Sequence, residues 1–215
     1  MLSAKQVELY FQYSKNGLLG ACVIVAIIGI ALLVFVNWIA GIAGILIAVG
    51  IGYFRTMIPD DAEIDEFFDK LATFWTQKSL EKLGIEESDI IRPPLSLIGV
   101  ESYDKSKKCD DGIWRYNPMV VEIIHFGKNQ LLTNSVQLDL LNPKDYVGKT
   151  NEFFYKDISS VSIEDYKDGK LSNKHFLIKV HGQVELNTLI QKKYESTAED
   201  AVATIRKTLR EKKQS

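Results

Sequence analysis

The residue types that most often perform chemistry are few in this sequence, and they stand apart from one another. The three histidines, His125, His175 and His181, do not have the spacing of metal ligands or of a catalytic base beside a nucleophile. The phosphate-binding motifs GxxxxGK[ST] and GxGxxG after a strand do not occur. We therefore expect a protein that is not an enzyme, with no cofactor, no metal and no small-molecule substrate.

The two cysteines lie in different surroundings. Cys22 falls in a long apolar segment, whereas Cys109 stands among lysines and aspartates. A pair in such different solvents does not form a disulfide, so both are expected to be free thiols in a reducing compartment. The acids beside Cys109 offset its lysines, which argues against a reactive nucleophile.

Two basic clusters are candidates for binding anions. Lys105, Lys107 and Lys108 fall in a predicted polar loop over residues 104–112, where they could contact lipid headgroups, but acids in the same stretch favour a solvated loop. Five bases near the C-terminus favour the dipole of a final helix, with anionic lipid or an acidic neighbouring helix as alternatives: Arg206, Lys207, Arg210, Lys212 and Lys213. The net charge of −2 and pI near 6.0 argue against a nucleic-acid partner.

An uncharged apolar segment sets the location of the protein. Residues 16–54 contain no Asp, Glu, Lys or Arg. As one helix they would extend about 58 Å, roughly twice the thickness of a bilayer core. We predict two membrane-spanning helices over residues 17–58 that turn at Asn37-Trp38. A cleaved signal peptide and a re-entrant hairpin are the alternatives for this segment.

Basic and aromatic residues predict how the hairpin is oriented. Lys5 and Lys15 precede it and Arg55 follows it, while the turn carries no charge, so residues 1–16 and the rest of the chain should both face the cytoplasm. Trp38 would lie at the far membrane interface, and Tyr53 and Phe54 at the near one.

Small residues recur every four positions in the second span. Ala40, Gly44, Ala48 and Gly52 form one smooth helical ridge that lets another helix approach closely. The partner is expected to be the first span of the same chain, and packing between subunits is a compatible alternative.

A juxtamembrane helix is predicted within residues 59–92. Asp60 and Asp61 can cap its start, and Gly84 can end it. Apolar residues recur at helical intervals at Ile64, Phe67, Phe68, Leu71, Phe74 and Trp75. Because acids crowd its first half, anionic headgroups would repel it, and we expect this face to pack on the following domain or on a partner.

Residues 93–215 show strand patterns followed by one helix. Strands are predicted over residues 95–103, 114–126, 131–141, 151–155, 158–163, 175–180 and 184–189. Ser196 and Glu199 form a capping box for a final helix, whose apolar face comprises Ala198, Val202, Ile205 and Leu209. The predicted fold class is an α+β membrane protein, in which a small antiparallel β-barrel is plugged at one end by the C-terminal helix.

The run Glu152-Phe-Phe-Tyr-Lys-Asp-Ile-Ser-Ser-Val161, followed by two strands and a helix, resembles the pleckstrin-homology-like (PH-like) domains of bacterial membrane proteins. The resemblance covers residues 95–212 and the preceding two-helix hairpin. It implies a binding or scaffolding module that often self-associates and lacks catalysis. Two departures are the helical insert over residues 60–90 and the missing basic signature of phosphoinositide-binding members.

The leading hypothesis is therefore a multi-pass protein of the bacterial inner membrane. Its PH-like domain would assemble further copies of the chain, or a partner protein, at the cytoplasmic face. Two alternatives stay open. The hairpins could form a homo-oligomeric ring that makes a pore or perturbs the bilayer, or the domain could sense anionic lipid.

Overall fold

A computed structural model describes residues 2–109, 111–142, 146–168 and 171–214. The chain divides into two compact units, Met1–Asp65 and Glu66–Ser215.

The first unit is helical. Helices α1 (Ala4–Gln12), α2 (Lys15–Phe35) and α3 (Trp38–Thr56) follow one another closely. Ser3 and Gln6 form a capping box at the start of α1, a helix that the sequence analysis left out of residues 1–16. Ser14 caps α2 through its side chain.

Helices α2 and α3 form an apolar hairpin, and each is long and apolar enough to cross a membrane. The predicted turn is confirmed, because the helices are separated by Val36 and Asn37. The Asn37 side chain caps α3 by accepting a hydrogen bond of 2.8 Å from the Ile39 N–H. A short polar side chain here satisfies backbone donors that the turn leaves free.

Helix α4 (Asp61–Leu83) follows as predicted. The Asp60 N–H donates to Glu63 Oε2 at its start, and Gly84, with φ of 64°, stands just after its end. Five residues of the predicted apolar face are buried: Ile64, Phe67, Phe68, Leu71 and Trp75. Phe74 is 43% exposed, so the prediction was wrong at that position. Its neighbour Trp75 takes the buried direction, and a helix turns adjacent residues to different sides.

In the described part of the second unit, seven strands form one antiparallel sheet in the order β4-β3-β2-β1-β7-β6-β5. The strands are β1 (Ile90–Lys108), β2 (Trp114–Gly127), β3 (Gln130–Leu138), β4 (Tyr146–Phe154), β5 (Ile158–Asp168), β6 (Leu171–Val180) and β7 (Gln183–Ile190).

The sheet is not closed, so the predicted closed barrel is corrected to an open sheet with β4 and β5 at its edges. The link between these strands explains why they do not pair. The Tyr155 N–H donates to the Asn129 carbonyl, and the Asp157 carbonyl accepts from the His181 N–H. The link is thus bonded to the turns of two other hairpins.

Strand β1 is longer than predicted at both ends. It begins at Ile90, and its register with β2 shifts between Arg92 and Leu95, because Pro93 and Pro94 lack the N–H donors of a regular ladder. It continues to Lys108, so the polar loop predicted over residues 104–112 was wrong for residues 104–108, whereas Cys109, Asp111 and Gly112 lie in the connection between β1 and β2 as predicted. Asp110, in that stretch, lies outside the described residues, and Cys109 is buried.

The final helix α5 (Glu195–Gln214) is also confirmed, but its predicted cap is wrong. A 3₁₀ turn over Lys192–Tyr194 leads directly into it, so Ser196 lies inside the helix. Glu199 pairs instead with Lys174 on β6. The predicted apolar face is buried in the core at Ala198, Val202, Ile205 and Leu209.

Both faces of the sheet are packed. On one face α5 joins the main core, which includes Ile124, Phe126, Leu131 and Phe176. On the other face α4 makes side-chain contacts, as predicted for a helix that packs on the following domain. Trp75 packs on Tyr146 with ring centroids 4.3 Å apart. The Thr76 hydroxyl oxygen lies 2.6 Å from that of Ser96. The Ser79 hydroxyl oxygen lies 2.5 Å from His125 Nε2.

Candidate functional site

The predicted ridge on α3 lies against α2 of the same chain. A Cβ on Gly44 would lie 2.8 Å from Gly29 Cα, so the two backbones are in contact. Ala48 is buried, and its carbonyl accepts from Cys22 Sγ at 3.2 Å. A Cβ on Gly52 would lie 3.8 Å from that sulfur. Ala40 is half-buried near the turn.

The four-residue spacing missed Gly41. A Cβ on Gly41 would lie 2.3 Å from Leu33 Cβ, the tightest approach among the described glycines. Gly41, Gly44 and Ala48 are spaced by three and then four residues, which follows the 3.6-residue turn better than a strict four-residue repeat. A search for both spacings would have included Gly41.

The predicted interface anchors lie at opposite ends of α3. Trp38 begins the helix, while Tyr53 and Phe54 lie in its last turns, about 24 Å away at 1.5 Å per residue. Trp38 and Tyr53 are each 66% exposed, and Phe54 packs edge-on against Tyr13.

Charged groups gather at the Tyr53 end of the hairpin. Arg55 Nε donates to the Lys15 carbonyl at 3.1 Å, and the Lys15 ammonium pairs with Asp60. The turn at the other end carries no charged side chain. The hairpin is therefore charged at one end only.

The structure does not bring the three predicted lipid-contact lysines into one cluster. Lys105, Lys107 and Lys108 lie on β1, opposite Asn117, Arg115 and Trp114 of β2. Successive residues of a strand point to opposite faces, so Lys108 projects away from the other two. Nearby, the Arg115 guanidinium donates to both oxygens of Asp111, and this lowers the pKa of that carboxyl.

The histidines are also separated. His125 is fully buried, with Nε2 2.5 Å from Ser79 Oγ. The single Ser79 proton is donated to the Thr76 carbonyl at 2.6 Å, so His125 is the donor in its bond to Ser79. This is the reverse of an activated serine, in which histidine accepts the proton. Burial lowers the pKa of His125 and favours the neutral ring.

A buried carboxylate, Glu122, was missed by the sequence analysis. It lies in the middle of β2 in the run Val120-Val121-Glu122-Ile123-Ile124, and its side chain is fully buried. The sequence signal that could have identified it is a single acid within an otherwise apolar strand. Such an acid is unusual, because charged residues are rarely fully buried without a partner.

Glu122 lines a cavity of about 310 Å³ bounded by residues of β1, β2, β3, β4 and β7. On β2 it has the same parity as Ile124 and Phe126, so it points to the core face of the sheet. Small side chains of Ser135 and Thr188 stand beside it, where the core elsewhere has large apolar groups.

Only one of the two carboxylate oxygens of Glu122 accepts hydrogen bonds from the described residues. Its Oε2 accepts from Ser135 Oγ and, at 3.4 Å, from Thr188 Oγ1. Its Oε1 has no hydrogen-bond partner within the described ranges. Burial raises the pKa of Glu122 to about 7, although the two hydroxyls and the charge of Lys149 act in the opposite direction.

Together these features define the class: an α+β protein with an apolar helical hairpin and an open antiparallel sheet that has a polar cavity on its core face. Comparisons of the chain with family models, with curated proteins and with solved structures found no match.

Proposed function

We propose that the α2–α3 hairpin anchors this protein in a membrane and spans it. At 21 and 19 residues the helices are each about 30 Å long, which matches a bilayer core. Their outward apolar side chains are more than half exposed, for example Ile24, Ile27, Val34, Leu46 and Val49. A continuous apolar surface of this kind is unfavourable in water and favourable in lipid.

The charged end of the hairpin supports an orientation. Lys15 and Arg55 lie there, and under the positive-inside rule this supports a cytoplasmic location for that end, the N-terminal residues and the sheet unit. We propose the inner membrane of a bacterium as the location, in keeping with the PH-like resemblance.

Thiol labelling tests the anchor. With Cys22 and Cys109 replaced by Ala, Val36→Cys probes the hairpin turn and Lys156→Cys probes the sheet unit. A membrane-impermeant maleimide should reach position 156 only from the cytoplasmic side and position 36 only from the other side. Labelling of position 36 from the cytoplasmic side would show a re-entrant hairpin.

We further propose that the sheet unit is a PH-like binding module that assembles copies of the chain, or a partner protein, at the membrane. The strand order supports this fold, with one meander of four strands, a second of three, and a C-terminal helix on the core.

The observation that carries the binding proposal is the free edge of β4. The nine residues of Tyr146–Phe154 pair with β3 on one side only, within the described part of the sheet. Val147 is 68% exposed on this strand, and Phe154 is also exposed. An unpaired edge offers backbone donors and acceptors to an added strand, and exposed apolar side chains strengthen such pairing.

The native mass of the full-length protein in lipid nanodiscs, beside that of residues 60–215, tests the proposal; the shorter chain keeps the cap of α4. Assembly of both, weakened by Val147→Glu and unchanged by Val184→Glu, at an exposed valine of the interior strand β7, would support pairing through β4. If the full-length protein and the shorter chain are both monomeric, the result would favour binding of a different protein.

The same measurement separates the two alternatives. A high-order full-length oligomer with a monomeric fragment would favour a membrane ring, although the small-residue ridge is already packed against α2. Salt-sensitive binding of the fragment to anionic liposomes, lost when Lys105, Lys107 and Lys108 become Ala, would favour lipid sensing.

A further inference from the structure

The cavity beside Glu122 is a space that the sheet leaves open on its core face. The large side chains of the core, such as Ile124 and Phe126, lie further along β2, where α5 covers them. Beside Glu122 the strands contribute the small side chains of Ser135 and Thr188 instead. A Cβ on the neighbouring Gly99 would lie 2.7 Å from Thr188 Cγ2, so β1 and β7 approach closely beside Thr188.

The charges around the cavity favour a cation. Its ionisable lining consists of Glu101 on β1, Glu122 on β2, Lys149 on β4 and Glu185 on β7. Three carboxylates therefore face one ammonium. The buried Glu122 Oε1, which lacks a partner in the described residues, is an acceptor that a ligand can satisfy.

The remaining lining favours a ligand with a short apolar body. Val100, Val120 and Leu186 are buried and line the same cavity. A volume of about 310 Å³ is at the lower end of the range for small-molecule sites. The cavity therefore suits a small molecule with one charged end.

We propose that this cavity binds a small primary alkylammonium ligand. The ammonium donates to Glu122 Oε1, and the alkyl body lies against Val100, Val120 and Leu186. An ammonium is chosen over a neutral donor because it also compensates the charge of a desolvated carboxylate.

Binding should depend on pH with a defined sign. The ligand requires ionised Glu122, whose pKa in the free protein is raised to about 7. Below that value the carboxyl must first lose its proton, so affinity rises with pH from 5.5 to 8. A simple alkylammonium stays charged across this range, and the other groups facing Glu122 are Glu101, Lys149 and Glu185.

The probes are n-butylammonium, n-butanol and butyrate, titrated against the full-length protein in phosphatidylcholine nanodiscs and followed by amide chemical shifts of β2 and β3. At pH 8 butylammonium should bind about tenfold or more tighter than either other probe. Its affinity should fall about thirtyfold between pH 8 and pH 5.5, because the ionised fraction of Glu122 falls by that factor.

Glu122→Gln should weaken butylammonium about tenfold and remove the pH dependence, whereas Asp200→Asn, at an exposed acid of α5 outside the lining, should leave the affinity unchanged. Val147→Trp, at an exposed residue of the lining, keeps the carboxylate but should block entry, which covers the case that Glu122→Gln unfolds. Binding of butanol as tight as that of butylammonium would overturn the proposal. So would equal affinities for the wild type and a folded Glu122→Gln variant, or no binding of any probe.

Discussion

The apolar hairpin and the sheet unit are held together by opposite kinds of residue. In the hairpin, Gly29 and Gly44 bring two backbones into contact, and the large side chains point outward. In the sheet unit, Phe126 and Phe176 are fully buried and the contacts are made by large apolar groups. Helices in lipid gain little from burying apolar surface and depend on close approach, whereas a domain in water depends on that burial. Similar substitutions should therefore have different effects in the two regions.

The largest effect is expected where an aromatic side chain joins α4 to the sheet. Trp75 is buried and packs on Tyr146, with the Lys82 ammonium 4.3 Å from the Tyr146 ring centroid. Trp75→Ala should lower the free energy of unfolding of the sheet unit by about 3–5 kcal/mol, because it removes the packing and leaves a cavity. Urea titration of the full-length protein in nanodiscs, followed by circular dichroism, measures this loss.

Phe74→Ala is the matched control, since the neighbouring aromatic is largely exposed. It should cost less than about 1 kcal/mol. Equal losses for the two variants would mean that α4 does not stabilise the sheet through its Trp75 face.

A large effect is also expected from Glu122, because the sheet unit buries a charged residue type that the hairpin excludes. The pKa of Glu122 is raised to about 7 in the folded protein, above its ordinary value of 4.5. The folded state then holds the proton more tightly than the unfolded chain, so this group makes stability fall as pH rises from about 4.5 to 7. The total loss is about 3 kcal/mol at 1.36 kcal/mol per pKa unit.

Glu122→Gln removes this dependence. Relative to the wild type, the variant should gain about 3 kcal/mol on going from pH 4.5 to pH 8, measured by the same urea titrations. Glu185→Gln, at an exposed carboxyl, should follow the wild-type profile. Parallel profiles for Glu122→Gln and the wild type would show that Glu122 is solvated in the folded protein.

The regular elements could be predicted because their causes are local. Residues 16–54 without charge predicted the apolar hairpin, and Asn37 marked its turn. The spacing of Ala198, Val202, Ile205 and Leu209 predicted the buried face of α5. Long-range features were missed. The Tyr155–Asp157 link between the edge strands is hydrogen-bonded to two distant turns, and Glu199, the predicted capping residue, pairs with Lys174 of β6.

The candidate sites divide in the same way. The small-residue ridge was predictable from its helical period, but its partner Gly29 was not, because the register between two helices is a tertiary property. The three lysines were predicted to lie in a loop because charged runs are typical of loops. Instead, pairing with residues 114–117 extends β1 through Lys108. Glu122 became recognisable only when the sheet placed Ser135 and Thr188 beside it.

A smaller effect is expected from enlarging a residue within the hairpin. Gly44→Leu places atoms where Gly29 Cα lies, so the helices must separate, and stability should fall by about 1–3 kcal/mol. Gly50→Leu is the matched control on the same helix, because a Cβ there meets no atom of the described residues within 4 Å. Titration of full-length protein from mild detergent into SDS measures the loss, and native mass should show an unchanged subunit number. If Gly44→Leu dissociates an oligomer without loss of helix stability, the ridge packs between subunits.

The smallest effects are expected from substitutions in the turns of the two regions. Asn37 closes the hairpin turn in an extended conformation that suits a capping side chain. The turn between β6 and β7 instead holds His181 at φ of 50° and Gly182 at φ of 84°. Such angles disfavour a residue with a Cβ, and the His181 N–H bond to the Asp157 carbonyl needs no side chain. The exposed His181 ring lies 3.8 Å from the Asp157 carboxylate, a contact that contributes little.

His181→Gly should therefore raise stability by about 0.5 kcal/mol, after the greater freedom of glycine in the unfolded chain is subtracted. Asn37→Ala should instead lower hairpin stability by about 1 kcal/mol. A loss from His181→Gly as large as that from Asn37→Ala would mean that the imidazole stabilises its turn through Asp157, and that the two turns depend on their side chains alike.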